Sequence, residues 1–262
     1  MNFNNWLIVI PARLNSQRLA RKPLQDLQGK ALIIRVYDNI KTLNTQGVKV
    51  QSDWLFDFFD NPHMIRPNME VRMPTFNFSD KQWNSVIKAL QHMENHSLSF
   101  ESDYLVDKES ELGQIKYEVG KYVSTQSGYK CSTCHFGVSD DGIAGSIDYI
   151  EQWAPNLAHS DERLRADWIV EWLHDPQKIM PGANMVSPLS FVAYKDAAKD
   201  PSLMKLKEYV LDKYDSDYEV RYNQLLLEGV RDFIYELPDV NNENILDTIE
   251  VRKIPVEDEW DW

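Results

Sequence analysis

The chain has 262 residues, 43% hydrophobic and 26% charged, enough for one large or two modest domains. No apolar run approaches the ~18–20 residues that a membrane-spanning helix needs, and 28 basic against 41 acidic residues leave a net charge of −13 that argues against nucleic-acid binding. Two cysteines cannot form a disulfide framework, but they can make one local site. The charge is unevenly divided: residues 1–45 carry seven basic and two acidic side chains, +5, and the remaining 217 carry −18. A sign change this sharp points to segments of different origin or task.

Residues 6–10 (WLIVI) are too short for a secretory apolar region and have no basic stretch before them, so no signal peptide is read there. Residues 7–11 (LIVIP) predict a short buried strand stopped by Pro11. A basic loop follows, and residues 31–41 (ALIIRVYDNIK) carry apolar positions at helical spacing, entered through Gly29 and Lys30. Such a strand–loop–helix can meet phosphates through cations and free backbone N–H groups, or can be a plain surface unit; no GxxxxGK[ST] or GxGxxG is present.

An internal echo comes next. Residues 53–67 (DWLFDFFDNPHMIRP) and 167–181 (DWIVEWLHDPQKIMP) are offset by 114 and identical at five of fifteen positions. Each predicts an amphipathic helix ended by a proline, Pro62 or Pro176, and followed by a methionine-bearing loop with Met73 or Met185. Duplication accounts for this better than chance matching of two Trp-rich helices.

Both cysteines fall in Cys131-Ser-Thr-Cys134-His135. C-x-x-C-H is the attachment sequence for c-type haem: two thiols on one side of a turn add to the two vinyl groups of a porphyrin, and the next histidine ligates the iron. The sixth ligand must come from elsewhere, and a thioether there raises the reduction potential. Met185, on a Pro181-Gly182 loop 50 residues beyond His135, is the candidate; Met180 competes from the same loop, and Met204 reads as core. Other readings of the cysteines are a zinc site completed by His135 with His159 or His174, a thioredoxin-like pair, or incidental buried thiols.

Two family resemblances add to these readings. Ile10-Pro11-Ala12-Arg13, Ser16, Arg18-Leu19, Lys22-Pro23-Leu24 and Gly29-Lys30 resemble the start of the CMP-Kdo synthetases, cytidylyltransferases whose loop holds the CTP phosphates. That resemblance implies CTP contacts for Arg13, Ser16, Arg18 and Lys22. Ala20 and Arg21 replace the family's Pro-Gly, and its acidic metal-binding and sugar-binding motifs are not found downstream, so it implies an inactive fragment.

From residue 122 to 237 the chain resembles a class I cytochrome c domain, on Cys131, Cys134 and His135, Ala154-Pro155-Asn156-Leu157, the Trp168 helix, the Met185 loop and the run 225–237. In that likeness Pro155 buttresses His135 through its carbonyl, and the last helix packs on the first. Residues 46–96 resemble the back half of another such domain with no C-x-x-C-H before it, leaving Met73 an orphan ligand.

The remaining candidates are bland. His92 and His96 stand i,i+4 but lack a third metal ligand, His63 and His174 sit at helix ends, and Trp54, Trp168 and Trp172 read as core aromatics. The combined expectation is a mainly α chain: 1–45 synthetase-like, 46–96 a partial cytochrome-like segment, 97–121 a linker, 122–237 a haem c domain and 238–262 an acidic tail. It would carry electrons rather than turn over substrate, with Cys131 and Cys134 anchoring haem c, and His135 and Met185 on the iron. Its acidic surface suits a redox partner with a basic docking face. Haem attachment implies a periplasmic or other extracytoplasmic site, whereas an authentic synthetase-like start implies the cytoplasm.

Overall fold

A computed structural model describes residues 26–27, 30–31, 46–62, 76, 78–93, 104–126, 129–135, 138 and 154–238. The described part is mainly helical, as the sequence predicts. Its helices are α1 (Gln46–Lys49), α2 (Ser52–Asp60), α3 (Asp80–Met93), α4 (Glu111–Lys121), α5 (Ser160–Arg163), α6 (Ala166–His174), α7 (Pro176–Ile179), α8 (Leu189–Val192), α9 (Pro201–Lys213) and α10 (Tyr218–Tyr235). Among the described residues, strands are confined to β1 (Asp26–Leu27) and β2 (Lys30–Ala31), paired antiparallel as Asp26↔Ala31 and Leu27↔Lys30.

That pairing corrects one expectation. Ala31 does not open a helix; with Lys30 it closes a hairpin whose strands are two residues apart, the shortest common connection. The predicted strand at 7–11, residues 32–41, and the acidic tail beyond Pro238 lie outside the described residues.

The core is built on α10. Its inward face carries Tyr222, Leu225, Leu226, Val230 and Ile234, packed with Ile115 and Val119 of α4 and Leu203, Leu206 and Val210 of α9. α4 and α10 approach until their backbones touch. A Cβ on Gly120 would lie 2.0 Å from the Gly229 carbonyl oxygen, and one on Gly229 would lie 2.3 Å from that of Lys116. Each helix therefore needs glycine at the crossing.

This overturns the reading of 97–121 as a linker. Helix α4 belongs to the core, because Ile115 and Val119 form a buried i,i+4 stripe. Ser110 caps α4, accepting from the Gly113 N–H at 3.0 Å. Tyr104 donates to Asp232 Oδ1 of α10 at 2.8 Å.

A buried ionic knot closes the same interface. Asp232 Oδ2 lies 2.9 Å from Lys116 Nζ, and Asp232 Oδ1 accepts from Arg231 Nε at 2.9 Å. The Arg231 guanidinium in turn covers the Tyr104 ring at 4.0 Å.

The two echo blocks form matching helices, each of nine residues, entered from extended Gln51 or Arg165 and left through Asn61 or Asp175. Trp54 stacks on Phe58 at 4.8 Å, and Trp168 on Trp172 at 5.2 Å. The blocks meet about a local two-fold. Val50 bridges Leu164 antiparallel, Gln51 N–H donates to Arg163 O at 2.9 Å, and Arg165 N–H donates to Lys49 O at 2.9 Å.

Side chains repeat that exchange. Gln51 Nε2 donates to Leu164 O at 2.8 Å and Arg165 Nε to Val50 O at 3.1 Å. Lys49 lies over Trp168 at 5.0 Å and Arg163 over Trp54 at 5.3 Å. In each of these matched contacts the residues of one are offset by 114 from their counterparts in the other.

Removing Asp232 leaves two buried cations facing a lost carboxylate, with Glu228 alone still paired to Lys116 at 3.2 Å. Asp232→Ala is expected to cost about 3–5 kcal/mol, read as a fall in the urea midpoint, whereas Asp212→Ala on the exposed face of α9 leaves the midpoint within about 0.5 kcal/mol of the parent.

Candidate functional site

The turn that carries the cysteines is fixed on both sides. α4 runs on through a π-helical turn (Tyr122–Gln126), with Val123 and Ser124 buried, and residues Cys131–Thr133 wind a single 3-10 turn. Cys134 and His135 N–H both donate to Cys131 O, at 3.1 and 2.9 Å, which folds the five-residue motif into one compact knuckle. Cys131 is buried with Val138 and Phe233, among Tyr117, Tyr129 and Leu157; Cys134 is exposed.

His135 is positioned by the strand-like segment opposite. It bridges Ala154 in parallel, Ala154 N–H donates to Cys134 O at 2.9 Å, and His135 Nδ1 lies 2.8 Å from Pro155 O. A carbonyl only accepts, so Nδ1 carries a proton, and in the neutral ring the lone pair then falls on Nε2. That is the tautomer a metal-ligating histidine uses when its other nitrogen is held by a carbonyl. Asn156, buried beside Pro155, fixes the segment by accepting from Ala158 N–H at 2.9 Å.

Burial pushes the Cys131 thiol up to about 11, against a lowering hydrogen bond from the Ser124 side chain, and burial also raises Cys134. Both are therefore thiols, not thiolates, near neutrality.

The Met185 loop lies nearby. Gly182 turns it at φ +88 and Ala183 N–H donates to Met180 O at 3.0 Å. Met185 is half-buried against the main core, and its Sδ accepts from Trp172 Nε1 at 2.9 Å. Met180, in contrast, is 39% exposed. Met204, expected in the core, is 46% exposed: α9 buries Leu203, Leu206 and Val210, and residue 204 falls on the other face.

Trp54, Trp168 and Trp172 pack in or against the cores, as read from the sequence. Trp168 Nε1 is buried with no acceptor among the described residues, as are Trp83 Nε1 and Tyr222 OH. His159 pairs with Glu162 at 3.1 Å, and His174 ends α6. His63, His96, Met73, and the loop residues Arg13, Ser16, Arg18 and Lys22 lie outside the described residues. Among the described residues, no three His, Cys, Asp or Glu side chains gather to hold a metal ion.

Two side chains that matter here escaped the sequence reading. Trp172 was legible as an aromatic at helical spacing from Trp168, but not as a donor to sulfur. Tyr129, two residues before Cys131, donates to Val186 O at 2.6 Å and so links the cysteine turn to the Met185 loop.

Comparison with known proteins bears on the start of the chain. Residues 7–54 match the cytidylyltransferase family. Within that stretch the chain is similar to the 3-deoxy-manno-octulosonate cytidylyltransferase of Polynucleobacter necessarius, 49% identical over 49 residues, and to that of Polynucleobacter asymbioticus, 47% identical over 49 residues. The matched stretch is 19% of this chain and 19% of each relative. It ends inside α2, nine residues beyond the boundary expected at 45. No solved structure matches the chain significantly. Among the described residues, no helix is long and apolar enough to cross a membrane.

The difference in burial between the thiols sets an order of reactivity. With both thiols reduced and free, iodoacetamide at pH 8 is expected to label Cys134 well before Cys131, with both rates rising as pH approaches the raised thiol values. Peptide mass mapping against time reads the order.

Proposed function

We propose that residues 104–238 form a one-electron carrier holding a single covalently attached c-type haem. The observation that carries this reading is the His135–Pro155 contact at 2.8 Å beside a compact Cys-x-x-Cys turn. It fixes the imidazole with its Nδ1 proton on a carbonyl and its Nε2 lone pair for a metal. The donor set fits the group: two free thiols, one oriented imidazole, a half-buried thioether and a buried indole N–H without an acceptor.

The haem iron supplies the one-electron chemistry when bound. Cys131 and Cys134 tether the group and His135 is its proximal ligand. Met185, with its sulfur already held by Trp172, is the distal ligand ahead of exposed Met180. A thioether has two lone pairs, so one remains for iron while the other accepts from the indole. The reading implies export to a periplasmic or other extracytoplasmic compartment, and a redox partner whose basic face meets the acidic surface.

Absorbance of the exported, purified chain tests it. A reduced α-band of c-type position that resists acid-acetone extraction is expected; a colourless, folded protein overturns the reading. Met185→Ala is expected to abolish the Met–Fe(III) charge-transfer band, and Met180→Ala to leave it in place. The reverse result reassigns the ligand.

The family match supports a second reading for the N-terminal segment, a cytidylyltransferase-derived piece in which Arg13, Ser16, Arg18 and Lys22 face CTP phosphates. It represents a fifth of the relatives' length. A transferase of this kind also needs carboxylates for Mg²⁺, so the segment is proposed as inactive. CTP-dependent pyrophosphate release is expected to be absent; its presence makes the segment an enzyme.

A further inference from the structure

Two loops distant in sequence meet at Tyr129. Tyr129 OH donates to Val186 O at 2.6 Å across 57 residues, while its ring packs against Phe191 at 5.7 Å. Tyr129 touches both hydrophobic clusters, that around Cys131 and the main core that includes Met185. We propose that Tyr129 is a positioning residue for the sixth ligand, a latch that binds the cysteine turn to the methionine loop and keeps Met185 in place on the iron. This rests on the haem reading above.

Three observations support the latch. Val186 is 48% exposed, so apolar burial of its own side chain does not pin this point of the loop; the bond at its carbonyl does. Trp172 grips the neighbouring residue at the sulfur, so residues 185 and 186 are held from two elements at once. Lys130, between the latch and Cys131, sits at φ 40, a left-handed conformation unfavourable for a residue with a Cβ. A residue stays there only when both its neighbours are fixed, as buried Cys131 and bonded Tyr129 are.

Burial, with the nearby cysteines, pushes the Tyr129 phenol far above its ordinary range. The hydroxyl therefore remains a donor at every pH at which the loop must hold. Met180 is held through its backbone, its N–H donating to Pro176 O at 2.9 Å and its O accepting from Ala183 N–H at 3.0 Å, while its side chain is exposed.

Tyr129→Phe removes the hydroxyl and leaves the ring on Phe191. In the haem-bearing chain it is expected to shift loss of the Met–Fe(III) charge-transfer band to lower pH. Imidazole is expected to take the sixth position about fivefold more tightly, the factor for one net hydrogen bond. Extinction at the α-band, which reports the tethered haem itself, should not change. In haem-free protein, proteolysis within 180–188 is expected to quicken, a readout that also serves if the variant loads poorly.

Parent-like titration, imidazole affinity and proteolysis in Tyr129→Phe overturn the latch while leaving the haem reading intact. A parent chain that takes up no covalent haem overturns both.

Discussion

The arrangement of the whole second half depends on the crossing of α4 and α10 at Gly120 and Gly229. Packed helices ordinarily stand about 8–10 Å apart, a spacing set by the side chains between them. Here a Cβ on either glycine would press within 2.3 Å of an opposing carbonyl oxygen, so no side chain separates the backbones. That closeness brings Lys116 onto Asp232 and Glu228, ion pairs that out of water hold only when well matched. It also fixes where the chain leaves α4. The buried π-helical turn that follows delivers Cys131 against Phe233 of α10, so a contact between two helix backbones decides where the thiols stand.

The second constraint is the local two-fold between the echo blocks. Backbone hydrogen bonds at Lys49, Gln51, Arg163 and Arg165 are exchanged in equivalent pairs, and a cation from each block covers the other's tryptophan. An isologous contact of this kind is self-complementary, the pattern expected when one patch meets a copy of itself. It sets Lys49 over Trp168 of α6, the helix whose Trp172 donates to Met185 Sδ. The cytidylyltransferase match runs through residue 54 and therefore overlaps half of this contact. Within the match, Lys49 and Gln51 serve this pairing through side chain as well as backbone.

Legibility followed the range of the interaction. The cysteine knuckle, the proline-ended helices and the methionine loop are local patterns, readable because spacing and turn chemistry decide them. The Pro155 carbonyl beside His135 was expected from family likeness, since spacing alone offers no reason to join residues 20 apart. The stretch 97–121 reads as a linker because α4 within it has a narrow apolar stripe, two glycines and several charges. Its partner lies more than 100 residues away on α10. Met204 was misplaced by one position on α9, where a 100° step separates the buried face from solvent. Tyr129 and Trp172 were visible only as aromatics, because a hydroxyl or indole donor is specified by where it points.

The two blocks share a frame and differ in chemistry. Phe58 occupies the place of Trp172 and stacks on its tryptophan in the same way, but it has no N–H to offer a sulfur. At the same offset of 114 before Cys131, Cys134 and His135 stand Gln17, Ala20 and Arg21, none of which can tether or ligate a haem. Packing tolerates such exchanges, because stacking area and backbone pairing survive a change from Trp to Phe. Ligation does not, because a metal needs a particular atom with a lone pair at a particular point. The symmetry therefore describes how the chain is held together, and it breaks where Phe58 stands in the place of Trp172. Lys49, just ahead of the first block, covers Trp168 at 5.0 Å, and Trp172 of the second block donates to Met185 Sδ at 2.9 Å.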